Sequence, residues 1–410
     1  MKKILFTIAL LISFSSFGQD EIKQGLVTEY YESGEVKSKT NYVDGKREGE
    51  ATGYYESGEV KEKGNYVDGK EQGEYIRYYE SGALGTKTNY VDGKVQGELI
   101  GYFQSGEVQF ILNFVDGKEQ GENTGYYKSG EVKYKVNYVV GKEQGEFIGY
   151  YESGAVENKF IYVDGERQGK YYEYYENGEV KEIGNYVDGK EQGECISYYE
   201  TGEIYGTENY VDGNVQGLGI VYYESGAVKR KLNFVDGNIQ GEQTGYYDSG
   251  AIESKINFVD GKMQGESIIY YESGAVQSKT NNVDGKPHGA FISYWENGKV
   301  RTELNNVDGK IHGEYRNYFE SGAFNSIQNY VDGKSHGALI TYWENGKVRT
   351  KQNYVYGKLY GEFFDYYDSG NISVKASFFD GKPHGEAILY FENGEIHEIK
   401  NYIYGELIED

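Results

Sequence analysis

Residues 54–74 read YYESGEVKEKGNYVDGKEQGE, and near copies of this stretch run on to the end of the chain. Three glycine columns mark the copies: Gly34 to Gly394 within SG, NG or TG, Gly45 to Gly405 mostly as VDG, and Gly25 to Gly385 mostly as QGE or HGE. Each column recurs every 24 residues, sixteen times, which is the signature of a repeat architecture. In every copy two runs of strand-forming residues flank the Ser-Gly or Asn-Gly pair, and a second turn follows at Asp-Gly. Those dipeptides supply the positive φ that tight hairpins need, so each copy reads as two antiparallel strands and the chain as thirty-two.

The second strand of a copy alternates. In EVKEKGNYV, Val60, Glu62, Gly64 and Tyr66 share one face and Lys61, Lys63 and Asn65 the other, and larger apolar residues such as Leu112, Val136, Phe160 and Ile256 stand where Gly64 does. One face is oily and one is wet. The first strand carries paired aromatics, such as Tyr78 and Tyr79, which must point to opposite faces. A two-residue hairpin loop would set Tyr79 opposite Leu84 on the oily face and leave Tyr78 among lysines. The expected fold is all-β: an elongated, twisted, single-layer antiparallel meander of tandem 24-residue β-hairpins. Its stability is a sum of cross-strand terms of ~0.2 to 1 kcal/mol each, with no central core. A parallel β-helix has coils of similar length, but it demands small residues or aliphatic stacks inside, whereas bulky tyrosines here fall on both sides and every strand ends in a hairpin dipeptide.

Of 410 residues 59 are Gly, 46 are Tyr and only 2 are Pro, a composition rich in aromatic β-formers that argues against disorder. The opening MKKILFTIALLISFSSFGQD orders Lys2 and Lys3, an apolar run from Ile4 to Ile12, and small residues at Ser16 and Gly18. That order reads as a secretory signal peptide over 1–18, cut after Gly18, because the run is shorter than the roughly 20 residues of a spanning helix. Residues 19–410 then form one continuous repeat domain, expected in the periplasm, the cell envelope or the medium. The formal net charge is −24, and loss of Lys2 and Lys3 makes it −26. A field of that sign repels nucleic acid and anionic membrane surfaces and favours basic protein partners or neutral ligands such as glycans. Cys195 is the single cysteine, so no intrachain disulfide forms, and it reads as a small filler on a strand.

The aromatic-rich strand before its glycine, the NYVDGK turn and the GKPHGE or GKIHGE link resemble MORN repeats, specifically the bacterial MORN repeat variant, over roughly residues 24–405. Members of that variant family carry the label of antitoxin component of toxin-antitoxin modules, of the YwqK type, and MORN repeats elsewhere are scaffolding or membrane-associated modules. For this chain the resemblance therefore implies a scaffold, or an antitoxin-like protein binder.

Four of the five histidines, His288, His312, His336 and His384, precede the third glycine. Three of these lie one copy apart, which separates them by about two strand spacings, ~9.6 Å, whereas one zinc needs ligands within about 2.1 Å. The Asp-Gly aspartates, Asp44, Asp68 and their equivalents, are spaced likewise and cannot give one calcium ion its six to eight oxygens. Neither a metal nor a cofactor is expected. Catalysis gathers unlike groups in one recess, and a regular ribbon copies each group without gathering any, so the chain reads as non-enzymatic.

Tyr occupies all sixteen positions of the column Tyr30 to Tyr390, and the next position is always Tyr, Phe or Trp. These rings hold the sheet together, or they form a binding ladder suited to protein surfaces and sugar faces. Trp295 and Trp343, with Asn282, Asn306, His312 and His336, set residues 282–346 apart as the candidate binding region, since tryptophan is enriched at binding hot spots. The YWENGKVRT copies at Tyr294 and Tyr342 are equally the trace of a recent duplication. The function expected is that of a non-catalytic exported scaffold binding another protein, with a basic toxin or an envelope component as the chemistry that fits. A glycan or cell-wall binding module and a mechanical spacer are the alternatives.

Overall fold

The computed structural model describes residues 23–408. The leader read as a signal peptide, and the acidic ends Asp20, Glu21, Glu409 and Asp410, lie outside the described residues. The protein is all-β, with forty-three strands and, among the described residues, no helix. Two compact units divide it: Met1–Gly169 with Glu176–Gly178, and Lys170–Tyr175 with Glu179–Asp410.

Both units are antiparallel meanders. In the first, Gly73–Tyr78 pairs with Leu84–Val91, which pairs in turn with Lys94–Val95 and Gly97–Tyr102. In the second, Gly193–Tyr198, Ile204–Val211, Asn214–Val215 and Gly217–Tyr222 repeat that pattern. The strand total exceeds the thirty-two expected because many returning strands are interrupted just before the third glycine, and a short last strand, Glu406–Ile408, follows. The interruption is a bulge. Gly73, at φ 83, turns the backbone so that the amide of Gln72 reaches the carbonyl of Asn65 at 2.8 Å, and the half-buried Gln72 side chain reaches the turn of the following copy.

The Asp-Gly turns are two-residue hairpins of type I′. Val91 pairs with Lys94, and between them Asp92 and Gly93 both lie at positive φ, 50° and 79°. Aspartate tolerates that region because its short polar side chain bonds locally, yet Val140, Tyr356 and Tyr404 hold the same conformation without that help.

The Ser-Gly turns differ from the expected two-residue loop. The Gly82 amide donates to the Tyr79 carbonyl at 2.9 Å and the Tyr79 amide to the Ala83 carbonyl at 2.8 Å, so Glu80, Ser81 and Gly82 form a three-residue loop. Only the glycine is left-handed, which marks a type I turn closed by a glycine bulge. Tyr78, not Tyr79, therefore lies opposite Leu84, and the register shifts between Arg77 and Tyr78. The shift also corrects the expected faces. The Lys61 ammonium stands 5.8 Å from the Tyr55 ring and that of Lys39 5.7 Å from the Tyr54 ring. Tyr54 and Tyr55 point to opposite faces, so the two lysine columns do as well. The bulge places an extra residue on one strand and so slips the alternation by one.

One face of each sheet is packed. Tyr66, Val136, Phe160, Tyr171, Cys195 and Ala376 are its buried hydrophobic residues, and Asn123, Gln243, Ser267, Asn282, Asn306 and Gln328 are buried on it too. In the first unit this face alternates rings with glycines. A side chain at Gly64 would run into the ring of Tyr75, one at Gly101 into Phe110, and one at Gly125 into Tyr134. A ring laid across the bare backbone of its cross-strand neighbour buries area that a second layer would otherwise have to cover.

Candidate functional site

Where the second aromatic of a pair is tyrosine or tryptophan it serves as an inter-repeat tie. The Tyr31 hydroxyl donates to the carbonyl of Tyr54 in the next copy at 2.7 Å, Tyr55 donates to Tyr78 and Tyr79 to Tyr102, and Tyr199 and Tyr223 do the same in the second unit. Trp295 and Trp343 occupy this position. Their indole N–H groups donate to the carbonyls of Tyr318 and Tyr366 at 3.3 and 3.1 Å. Arg301 and Arg349 stack on them at 4.7 and 4.6 Å, where other copies place a lysine. The same two copies add turn-to-turn bonds: Lys299 Nζ donates to the Ser321 carbonyl at 2.7 Å and Lys347 Nζ to that of Ser369 at 2.8 Å. Each tryptophan is half-buried.

The opposite side of the sheet carries the histidines. In most copies a glutamine precedes the third glycine and accepts the turn amide of the following copy, as Gln72 Oε1 accepts Asp92 N at 3.0 Å and Gln216 Oε1 accepts Asp236 N at 2.8 Å. Histidine replaces it in four copies and keeps the role in two of them. His288 Nδ1 faces the Asp308 amide at 3.5 Å and His384 Nδ1 the Tyr404 amide at 3.4 Å, while His312 Nδ1 is 3.8 Å from the Asp332 carboxylate. The buried Nδ1 of His336 has no hydrogen-bond partner, and its ring lies 4.9 Å from that of Tyr356. Among the described residues no group of three or more His, Cys, Asp or Glu is placed to hold a metal ion.

The six candidate residues are therefore not brought together. The tryptophans line the Ser-Gly turns and the histidines the Asp-Gly side, seven residues or ~23 Å apart along a strand. Asn282 and Asn306 lie between, on the packed face, where other copies place tyrosine or phenylalanine. Asn282 is 2% exposed and donates through Nδ2 to Ser267 Oγ at 2.9 Å.

A cluster of ionisable groups surrounds Tyr171 in the second unit. Its hydroxyl is 2.7 Å from Glu182 Oε1, 2.9 Å from Glu191 Oε1 and 3.6 Å from Cys195 Sγ. Burial pushes the Cys195 thiol up to about 12, with nearby Glu182, Glu191 and Glu208 adding to the rise. The Tyr171 phenol rises as well, chiefly through burial. A thiol held in its neutral form is a poor nucleophile and a good space-filler.

A feature without a counterpart in the first unit crosses the packed face of the second. Ser278 pairs with Ser293, Ser293 with Thr302, Thr302 with Asn317, Asn317 with Ser326, Ser326 with Thr341, and Thr341 with Thr350. The row is hydrogen-bonded in places: Thr302 Oγ1 donates to Asn317 Oδ1 at 2.9 Å, Asn317 Nδ2 to Ser326 Oγ at 3.2 Å, and the Thr341 and Thr350 hydroxyls are 2.7 Å apart. The equivalent row of the first unit mixes charges, rings and glycines, with Glu62, Arg77, Thr86, Gly101, Phe110 and Gly125 on successive strands. Over Ser278, Ser293 and Thr302 opens a groove of about 350 Å³, flanked by Tyr271, Phe291 and Tyr315 and reached by Arg301. Sequence reasoning missed this row. Its signal, short hydroxyl or amide residues at matching places in consecutive strands, becomes visible once the bulge fixes the register.

Among known proteins, the family model described as MORN repeat variant matches ten segments: 23–44, 47–68, 119–139, 167–188, 191–212, 215–236, 239–260, 287–305, 335–356 and 383–404. No curated protein matches. Among solved structures, the chain is similar to the TcdB2-TccC3-Cdc42 complex at 11% identity, covering 92% of this chain and 27% of that one, with a TM-score of 0.14. It is also similar to the Photorhabdus luminescens Tc holotoxin pore carrying a TccC3 mutation, at 10% identity over 92% of this chain and 23% of that one, TM-score 0.14. The chain thus spans about a quarter of the length of the solved structures it matches.

Proposed function

The chain belongs to the MORN repeat variant family, and from that premise we propose that it is a non-catalytic, exported scaffold that binds a basic protein along its Ser-Gly turns. The observation that carries this reading is the asymmetry of charge between the two turn sides. On the Asp-Gly side lysines offset the aspartates, as Lys46 Nζ meets Asp68 Oδ1 at 3.1 Å and Lys358 Nζ meets Asp380 Oδ1 at 2.6 Å. On the Ser-Gly side exposed acids recur in most copies, Glu32, Glu35, Glu56, Glu59, Glu152 and Glu203 among them, and outnumber the lysines Lys128, Lys299 and Lys347 that stand in the same turns. A regular row of carboxylates in a chain of net charge −24 steers basic partners and repels phosphate backbones and anionic lipid surfaces. A basic toxin, which would make the protein immunity-like, and a basic envelope component both satisfy this chemistry.

Capture from the native envelope fraction on the immobilised full chain tests it. A basic protein is retained at low salt and released near 1 M, where the Debye length falls to about 3 Å. Replacing Glu56, Glu59, Glu200 and Glu203 with lysine abolishes retention. If nothing basic is retained at low salt, or if the lysine variant retains the same protein, the reading is wrong.

A further inference from the structure

We propose that the groove over Ser278, Ser293 and Thr302 binds a neutral hexopyranose oligosaccharide. The groove lies on the packed face beside the Ser-Gly loops that Tyr271 and Trp295 open, and its chemistry differs from that of the acidic turns. Besides Gln277 and Arg301 at its margin, its polar groups are short hydroxyls one strand apart, which present a row of donors and acceptors at a repeat of about 4.8 Å. Thr302 is 9% exposed and is fixed by donating to Asn317, which leaves its oxygen lone pairs to accept a bond from a ligand. Tyr271, Phe291 and Tyr315 supply half-buried aromatic surface on the flanks. Rings beside fixed hydroxyls suit a ligand that is polar at its edges and apolar on its faces, as a pyranose is.

Two rival occupants fit less well. An extended peptide gains its affinity from backbone hydrogen bonds to a sheet edge, whereas the strands beneath the groove, Val276–Val283, Lys286–Tyr294 and Val300–Val307, are already paired with one another. An anionic glycan would meet one cation, Arg301, whose guanidinium is already stacked on Trp295, in a protein of strongly negative field. A neutral sugar pays neither penalty.

The test is calorimetric titration of the full chain with cellohexaose and with chitohexaose, two neutral hexamers that differ in their acetamido groups. At least one binds with a Kd at or below about 1 mM. That Kd is unchanged between low and high salt, since no ion pair contributes. Thr302→Val, which keeps the shape and removes the hydroxyl, weakens binding about tenfold. Tyr315→Leu, which removes a flanking ring, also weakens it, and Thr350→Val, farther along the same row, leaves it unchanged. Circular dichroism of each variant verifies that the sheet persists. Failure of both hexamers to bind at about 10 mM, ten times that limit, overturns the proposal, and so does wild-type affinity in both groove variants. The outcome is independent of protein capture at the turns, which is salt-sensitive and indifferent to Thr302→Val.

Discussion

Val140 is a β-branched residue at φ 52, in a turn position that aspartate fills in most other copies. A side chain with a Cβ pays roughly 1–2 kcal/mol in that region, and asparagine pays much less because its amide bonds to the local backbone. The valine side chain recovers little in return, being 59% exposed. Both backbone bonds of the turn survive substitution: the residue-140 amide to Gln120 Oε1 at 2.9 Å and the Gly141 amide to the Glu119 carbonyl at 2.8 Å. Val140→Asn is therefore expected to stabilise its hairpin by about 1 kcal/mol. Repeat proteins open locally, so a global melting curve dilutes the effect. Native-state hydrogen exchange at Gly141 and Lys142 reads it directly, as protection raised about fivefold. The mirror change Asp92→Val, in a turn of the same geometry, lowers protection at Gly93 by a similar factor. Exchange that is unchanged or faster in Val140→Asn, or unchanged in Asp92→Val, refutes the argument from backbone conformation.

Three further outcomes follow from the same geometry. Tyr79→Phe removes the bond to the Tyr102 carbonyl and costs about 1 kcal/mol, while Phe103→Tyr creates the equivalent bond to the next copy and stabilises by a similar amount; denaturation of both variants checks the pair. Gly64→Ala forces the Tyr75 ring off its backbone seat and destabilises by about 1–3 kcal/mol, and a double-mutant cycle with Tyr75→Ala recovers most of that loss. Burial raises the phenols of Tyr66, Tyr134, Tyr171 and Tyr318 above their ordinary value, so the folded chain holds those protons more tightly than the unfolded one. Stability from these four is then fully present below pH ~10 and is lost as pH rises past it, and site-resolved ring NMR should find them still protonated at pH ~10 while sheet circular dichroism persists; ionisation of all four in an intact sheet at that pH contradicts this.

The period, the meander and the Asp-Gly turns were legible because Asp-Gly between strand-forming runs has one good solution, both residues left-handed. The Ser-Gly turn was not. A glycine at positive φ serves a two-residue loop and a three-residue loop equally, and only the hydrogen bonds of Tyr79 distinguish them. That single residue decides which of Lys61 and Lys63 shares a face with Tyr66, so an error at the loop propagates along the strand. The tryptophans stood out by rarity, yet their indoles do the work that tyrosine hydroxyls do elsewhere. The histidines stood out as possible ligands, yet they replace a glutamine that receives a turn amide. Ser293 and Thr302, by contrast, looked like ordinary strand residues, since nothing in their local sequence says that they face each other.

The hydroxyl ties have a mechanical consequence. Phe103 and Phe319 stand in the tying position without a hydroxyl, so each leaves its copy joined to the next by one fewer bond. A strand ladder loaded from its ends ruptures where the lateral joint is thinnest. Under tension the array should tear first beside those two phenylalanines and come apart in blocks, with the twin copies at Trp295 and Trp343, clamped by extra lysine bonds, resisting longest.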